Sequence, residues 1–297
     1  MKGLSKRSGL TYALKFASDF LKMGFGNSRA EVFKENGRET PYIHSYSTFN
    51  RYLGIAKEFV GFAKSNGVNR LDKVDVELVE IFLCNKTRLH RTVKTIKTNL
   101  AALKKFFAAV HRPDIVSTLD ENYNFYLYKA AASGRTMPFD NPTRVISKIK
   151  SPVFQLVAEL QVLTAARIGD VKKIDPDESS MKVIIDKSKG GRFRAIDYID
   201  RPEKFQRIVE LKNHLDKAIK ELSWDFIRKN YYPQLRSAVK RSGDLYTGSH
   251  GFRANYATER YEELTEIQGL SRKVALKIIT EELGHSRISQ ARHYIFA

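Results

Sequence analysis

The stretch MKVIIDKSKGGRFRAIDYI, residues 181–199, is the one β signature in a chain whose other patterns are helical. Two runs rich in β-branched residues flank the Lys-Ser-Lys-Gly-Gly segment at 187–191, and that combination is typical of a hairpin. On both sides of it, apolar residues recur every three or four positions, as on one face of a helix. The sequence therefore predicts a mainly α fold with a small β-hairpin sheet.

The composition is that of a globular protein. The chain has 297 residues, of which 42% are hydrophobic, and this length allows two domains that each have a core. No apolar run approaches the roughly 18 residues that a membrane span needs, so we expect no membrane association. The single cysteine, Cys84, excludes an internal disulfide and favours a reducing, cytoplasmic location.

The charge of the chain is its most informative bulk property. Lys and Arg together number 52 against 33 Asp and Glu, which gives a formal net charge of +19. A chain this basic, without repeats, is best explained by a polyanionic partner. An anionic membrane surface is the alternative, but no segment has the pattern of a helix that lies on a membrane. Charge alone therefore favours a nucleic acid.

Breaks in the helical periodicity divide the chain into four parts. We expect a helical extension at 1–40, a helical DNA-binding domain at 41–112, a linker at 113–145 and a mixed α/β domain at 146–297. The proline-rich stretch that starts near His111 marks the linker. Two basic domains joined in this way suggest a clamp that closes on DNA from two sides.

One predicted helix, within residues 92–110, has a basic face opposite its apolar stripe. No acidic residue occurs from Ile81 through Pro113. Such a face can simply be solvated, but the exclusion of acids over some thirty residues favours contact with phosphates. The candidate DNA-binding residues on this face are Arg91, Lys94, Lys97, Lys104 and Lys105.

Four stretches place polar residues at specific positions: TAARIGDV at 164–171, DKSKGGR at 186–192, GSHGFRANYAT at 248–258 and LGHSRISQARHY at 283–294. Taken singly, each has an ordinary explanation. Arg167 and Asp170 could form a structural ion pair along a helix. His285 follows a glycine at a predicted helix end and could be a capping residue, and Tyr294 could be an aromatic anchor.

Taken together, the four stretches can support the attack of a tyrosine on a phosphodiester. Two arginines could neutralise the non-bridging oxygens as negative charge grows on them. Histidines could donate to the same oxygens or accept the phenolic proton, and a lysine on the hairpin could protonate the leaving 5′-oxygen. A 3′-phosphotyrosyl link would then conserve the bond energy for resealing. This chemistry needs no metal and no cofactor.

The order Arg, hairpin Lys, His-x-x-Arg, Leu-Gly-His and, nine residues later, Tyr resembles the tyrosine recombinases, also called lambda-type integrases, which include Xer-like enzymes. The resemblance covers 145–297, and the helical segment at about 45–112 looks like the core-binding domain of that family. It implies a two-domain enzyme whose nucleophile is Tyr294. The other implied catalytic residues are Arg167 and Arg253 on the phosphate, His250 and His285 beside it, and Lys189 on the hairpin, with Asp170 orienting Arg167. Lys187 is the alternative lysine.

The resemblance also implies the partners. These are double-stranded DNA with paired half-sites and further copies of the chain, as a homo-tetramer in the synaptic complex and a monomer or dimer when free. The expected location is the cytoplasm, at the nucleoid. Only three residues follow Tyr294, whereas many members continue with a helix that docks on a neighbouring subunit. We therefore expect either a shortened chain or subunit coupling through another element, such as 1–40.

Several departures from the family pattern leave the implied chemistry intact. Ala-Ala precedes Arg167, Asp170 stands where Glu is common, and His-Gly-Phe-Arg replaces His-Asp-Leu-Arg. Two other functions stay open. A type IB topoisomerase has a similar centre but acts as a monomer without a defined site, and a DNA-binding relative could have lost catalysis.

Overall fold

A computed structural model describes residues 4–27, 29–37, 40–88, 92–122, 124, 126, 137–189 and 191–295. The chain divides into two compact units, Met1–Ser133 and Gly134–Ala297. Each unit has its own hydrophobic core. The functional boundaries near residues 40, 112 and 145 stay a prediction.

Apart from one isolated bridge between Gly9 and Arg70, the regular secondary structure in the described residues of the first unit is helical. Its helices are α1 (Leu10–Leu21), α2 (Arg29–Asn36), α3 (Tyr46–Ser65), α4 (Val76–Arg88), α5 (Val93–Ala109) and α6 (Pro113–Glu121), with short 3₁₀ turns at Lys22–Gly24 and Leu71–Lys73. Local sequence sets where the central helices begin. The side chain of Ser45 accepts a hydrogen bond from the backbone N–H of Thr48, and Thr92 accepts one from Thr95. These are N-caps that satisfy an otherwise unpaired N–H.

Aromatic rings form the centre of the first core. Phe59 on α3 is fully buried and meets the rings of Phe82, Phe106 and Phe107 at centroid distances of 5.5, 6.5 and 5.4 Å. Helix α1 lies in the range predicted as an extension and α6 in the range predicted as a linker, yet both bury apolar side chains in this same core. Their amphipathic faces need a partner, and α3 and α5 supply it.

The second unit is mainly α with a small sheet, which confirms the predicted fold class. Its helices are α7 (Pro142–Ser147), α8 (Pro152–Thr164), α9 (Pro202–Leu222), α10 (Trp224–Ser242), α11 (His250–Glu262), α12 (Arg272–Glu282) and α13 (Ile288–Ile295). Its strands are β1 (Ile174–Asp177), β2 (Lys182–Ser188) and β3 (Arg192–Asp197). The sheet is antiparallel in the order β1-β2-β3. The sequence predicted only the β2–β3 hairpin, because β1 reads IDPD and shows no alternating pattern.

The β2–β3 pairing changes register next to the turn. Ile185 pairs with Arg194, but the next pair is Ser188 with Arg192, so β2 contains one extra residue there. Lys187, inside this bulge, has a left-handed backbone with φ of 47°. A bulge of this kind re-aims the side chains that follow it. Ser188 consequently faces the core side of the sheet, and both Lys187 and Lys189 are exposed.

Among the described helices, none combines the length and apolar composition that crossing a bilayer would require.

Phe59→Ala should destabilise the protein strongly. Removing this buried ring leaves a cavity among three aromatic neighbours, so we expect the free energy of unfolding to fall by about 3–5 kcal/mol. The denaturant dependence of the helical circular dichroism signal measures this loss. Phe33→Ala is the matched control, because that ring lies on α2 of the same unit and is 45% exposed. Equal effects from the two variants would contradict the assignment of Phe59 to the core.

Candidate active site

Arg167 lies on a turn that follows α8. The helix ends at Thr164, and Ala165 adopts a left-handed backbone with φ of 50°, which redirects the chain. The Arg167 guanidinium donates from Nη1 to the Ser188 hydroxyl at 3.2 Å, and that hydroxyl donates to Asp170 Oδ2 at 2.8 Å. Arg167 Nη1 and Asp170 Oδ2 are 3.7 Å apart. Arg167 and Asp170 are thus brought together, with Ser188 linking them.

Arg253 lies near the start of α11 and is buried, with 1% of its surface exposed. Its Nη1 donates to the carbonyl oxygen of Ala165 and its Nη2 to that of Leu283. Nη2 also lies 3.1 Å from Nε2 of His285. The Nε–H has no hydrogen-bond partner among the described residues. Burial, followed by the positive charges of Arg194 and Arg167, lowers the pKa of Arg253 to about 9.

Arg194, which the sequence analysis did not select, makes a parallel bridge. From β3 its Nε donates to the carbonyl of Glu282 at 2.8 Å, and its Nη2 donates to that of Thr164 at 3.0 Å. It is 1% exposed, and burial lowers its pKa to about 10. Arg194 therefore joins residues 164 and 282, while Arg253 joins the next residues along the chain, 165 and 283.

These arginines donate hydrogen bonds to the carbonyl oxygens at the C-terminal ends of α8 and α12. The last carbonyls of an α-helix have no partner within the helix and carry the negative end of its dipole, so arginine is a favourable partner there. After α12, Arg192 completes the set by donating to the carbonyl of Gly284 at 2.8 Å. Gly284 has φ of 62°, and a Cβ at this residue would lie 2.8 Å from Cδ of Arg194. The glycine before His285 is thus required by both backbone conformation and space.

His285 is held in its neutral form. Burial, followed by the charges of Arg253 and Arg167, lowers its pKa to about 3. Because Arg253 Nη2 is a donor, the Nε2 atom 3.1 Å away accepts, and the ring proton lies on Nδ1. Nδ1 is buried without a hydrogen-bond partner among the described residues. The ring can therefore offer one N–H to a ligand.

Tyr294 reaches the same place from α13. The helix is anchored by Ala291, which is fully buried. The Tyr294 ring stacks on that of His285, with centroids 5.7 Å apart and planes at 26°. Cζ of Arg253 lies 5.7 Å from the tyrosine ring centroid. The phenolic oxygen is 3.5 Å from Nδ1 of His250.

His250 is exposed and is the first residue of α11, where the partial positive charge of the helix N-terminus favours anions. The two hairpin lysines, Lys187 and Lys189, are both exposed. Lys189 follows directly after the last residue of β2. The geometry therefore unites five of the six predicted catalytic residues around one point, with Lys189 at the rim of the hairpin.

The predicted basic face of α5 has a more varied environment. Lys94 and Lys97 are exposed and line, with Tyr52, a surface groove of about 390 Å³. Lys104 forms an ion pair with Asp120 of α6, and Lys105 donates to the carbonyl of Thr40. Arg91 lies outside the described residues.

The sequence did not point to two residues of the site, Arg194 and Ser188, and the two differ in whether a sequence signal existed. Arg194 alternates in phase with buried Ile196 along β3, so an arginine on the apolar side of a strand was a visible signal. Ser188 left none, because strict alternation from Val183 and Ile185 would place Lys187 on the inner side instead. Within the described residues, no group of three or more His, Cys, Asp or Glu side chains is placed to hold a metal ion.

Comparisons with solved structures identify the fold. A lambda integrase dimer bound to a COC′ core site superposes with a TM-score of 0.58 at 17% identity, covering 97% of this chain and 77% of that one. A lambda integrase tetramer bound to a Holliday junction gives a TM-score of 0.57 at 18% identity, covering 96% and 80%. XerA recombinase gives 0.41 at 14% identity, covering 96% and 94%, which is too loose to argue from. No family model matches the chain, and no curated protein sequence matches it significantly.

The chain therefore has the fold of lambda integrase. The resemblance to the tyrosine recombinases, first indicated by the order of the polar motifs, is confirmed at the level of the fold.

The neutrality of His285 can be measured directly. We expect its imidazole to remain neutral between about pH 5 and 8, because burial and the neighbouring arginines oppose protonation. Nuclear magnetic resonance of the ring protons, assigned by their loss in His285→Gln, would show no titration step. A step near the ordinary histidine value would contradict the site's electrostatics.

The same residue should make the stability depend on pH. Between its usual pKa of 6.5 and its folded pKa of about 3, His285 binds fewer protons in the folded than in the unfolded chain. Its contribution therefore makes the free energy of unfolding fall as pH is lowered through that range. His285→Gln should fall less steeply than the parent over the same range.

Proposed function

We propose that the chain is a tyrosine site-specific DNA recombinase, which cuts and rejoins DNA through a 3′-phosphotyrosyl intermediate. One observation carries the proposal. The phenol of Tyr294 lies beside His250 and above a group of buried guanidinium and imidazole N–H donors, which are suited to bind a phosphate.

The charge of the site supports an anionic ligand. Beyond the effect of burial, the charge of Arg167 lowers the pKa of Arg194, and the charges of Arg194 and Arg167 lower that of Arg253. All three arginines lower the pKa of His285. Within the described residues, Asp170 is the one carboxylate in contact with any of these three guanidiniums. Three arginines, of which Arg194 and Arg253 are buried, leave positive charge in the site against a single carboxylate. A phosphodiester would compensate that charge, and its oxygens would accept hydrogen bonds from Nε of Arg253 and Nδ1 of His285.

The proposed reaction is a direct displacement at phosphorus. The Tyr294 oxygen forms a bond to phosphorus while the bond to the 5′-oxygen breaks, and His250 Nδ1 accepts the phenolic proton. Lys189 donates a proton to the departing 5′-oxygen. Neutral His285 donates from Nδ1 to a non-bridging oxygen and does not act as an acid at neutral pH. A 5′-hydroxyl of another strand reverses the step and releases the tyrosine, so no bond energy is lost.

The proposed substrate is double-stranded DNA with paired half-sites. The lambda integrase structures with this fold are a dimer on a core site and a tetramer on a Holliday junction. By analogy we propose a homo-tetramer in the synaptic complex and a monomer or dimer when the chain is free. The first unit would act as the core-binding domain through Lys94 and Lys97, and the enzyme would work at the nucleoid in the cytoplasm.

Tyr294→Phe should abolish covalent attachment to DNA. On nicked DNA carrying the half-site that the protein protects, the parent chain should form an adduct that resists denaturation, because the lost 5′-fragment prevents resealing. The variant lacks the attacking oxygen and should form none, while binding the DNA as before. Gel electrophoresis of the denatured products measures the adduct. Tyr12→Phe, an exposed tyrosine on α1, is the matched control. An adduct formed by the Tyr294 variant would refute the nucleophile assignment.

Assays with the same protein distinguish the recombinase from the two alternative functions. Relaxation of any supercoiled plasmid by dilute, monomeric protein would indicate a type IB topoisomerase. Site-specific binding without cleavage on any DNA geometry would indicate a relative that has lost catalysis.

Lys94→Ala should weaken DNA binding and reduce its salt dependence. Each lost phosphate contact lowers the slope of log affinity against log salt by about one unit. Lys104→Ala is the control, because Lys104 does not line the groove and its ammonium group forms an ion pair with Asp120. Fluorescence anisotropy at several salt concentrations measures both slopes. An unchanged slope in Lys94→Ala would remove this part of α5 from the interface.

A further inference from the structure

The bulge in β2 delivers one hydroxyl group to the active site. Asp186 and Lys187 together oppose the single residue Phe193, and this extra residue turns Ser188 inward. Ser188 is 3% exposed, whereas its two lysine neighbours are exposed. A left-handed backbone at Lys187 is unfavourable, because this residue is not a glycine. An unfavourable backbone at this place calls for a compensating role of the side chain that it orients.

The Ser188 hydroxyl separates two groups of opposite charge. It accepts from Arg167 Nη1 at 3.2 Å and donates to Asp170 Oδ2 at 2.8 Å, while the charged atoms stay 3.7 Å apart. Asp170 is 5% exposed, so little water competes with Arg167 and Ser188 for its carboxylate. Without the hydroxyl, the guanidinium would be free to close directly on this carboxylate, as charged groups in a low dielectric do.

We propose that Ser188 is a positioning residue, which keeps Arg167 oriented by Asp170 without letting their 3.7 Å ion pair shorten into a direct hydrogen-bonded pair. The proposal rests on the proposed function, in which Arg167 binds the scissile phosphate. A guanidinium bound fully to Asp170 would present fewer N–H groups to the phosphate and would have its charge cancelled as the transition state develops. The hydroxyl therefore acts on the rate of strand cleavage and not on DNA affinity.

Ser188→Ala should slow adduct formation roughly 10- to 100-fold at saturating DNA, because the phosphate-binding group is displaced by a fraction of an ångström or more. The dissociation constant for DNA should stay within about threefold of the parent. Ser188→Thr keeps the hydroxyl and should restore most of the rate. Ser242→Ala is the matched control, because Ser242 is also buried but its hydroxyl donates to the carbonyl of Val239 on α10. It should leave the rate unchanged.

A double-mutant cycle tests whether Ser188 acts through Asp170. If it does, Ser188→Ala combined with Asp170→Asn should be no slower than the slower single variant. Multiplying effects would overturn the proposal, as would a Ser188→Ala rate within threefold of the parent or a Ser188→Thr rate equal to that of Ser188→Ala. A parent chain that forms no Tyr294-dependent adduct would instead refute the proposed function. Thermal melting of each variant separates a loss of folded protein from a loss of rate.

Discussion

Two buried arginines hold together the ends of α8 and α12, and the candidate site depends on this constraint. Arg194 joins the carbonyls of residues 164 and 282, and Arg253 joins those of residues 165 and 283. Each arginine supplies donors to carbonyls that the helices themselves leave unpaired. Because Arg167 follows residue 165 by two positions and His285 follows residue 283 by two, the bridges fix the spacing between the two chain segments that carry them.

The same arginines set the electrostatics of the site. Burying several guanidiniums close together is costly, and the lowered pKa values of Arg194 and Arg253 express that cost. Carbonyl oxygens offset part of it without neutralising the charge. Burial and the positive charge of the arginines keep His285 neutral. Because Arg253 donates to its Nε2, the ring proton lies on Nδ1, where one N–H is available. A site with this buried positive charge can gain binding energy from an anion.

The sequence indicated the elements and the polar motifs well. Helical periodicity and the β-branched runs predicted a mainly α fold with a hairpin, because burial of an apolar stripe depends on local spacing. The spacing of the motifs selected Arg253, His285 and Tyr294, which the fold brings within a few ångströms of one another. Strand β1 was missed because its sequence, IDPD, has no β pattern of its own. It forms a strand because β2 offers an edge with which it can pair.

What the sequence determined by itself was the fold class and the basic charge, since these follow from short-range periodicity and composition. The order of its polar motifs, through a family resemblance, indicated most residues of the candidate site. Tertiary structure alone decided that Arg194 supports the site and that Ser188 stands between Arg167 and Asp170. Both facts depend on which carbonyl or hydroxyl lies opposite a side chain after folding. In β2, one extra residue reverses the inward and outward faces of the strand, and a change in pairing register leaves no mark in the order of the amino acids.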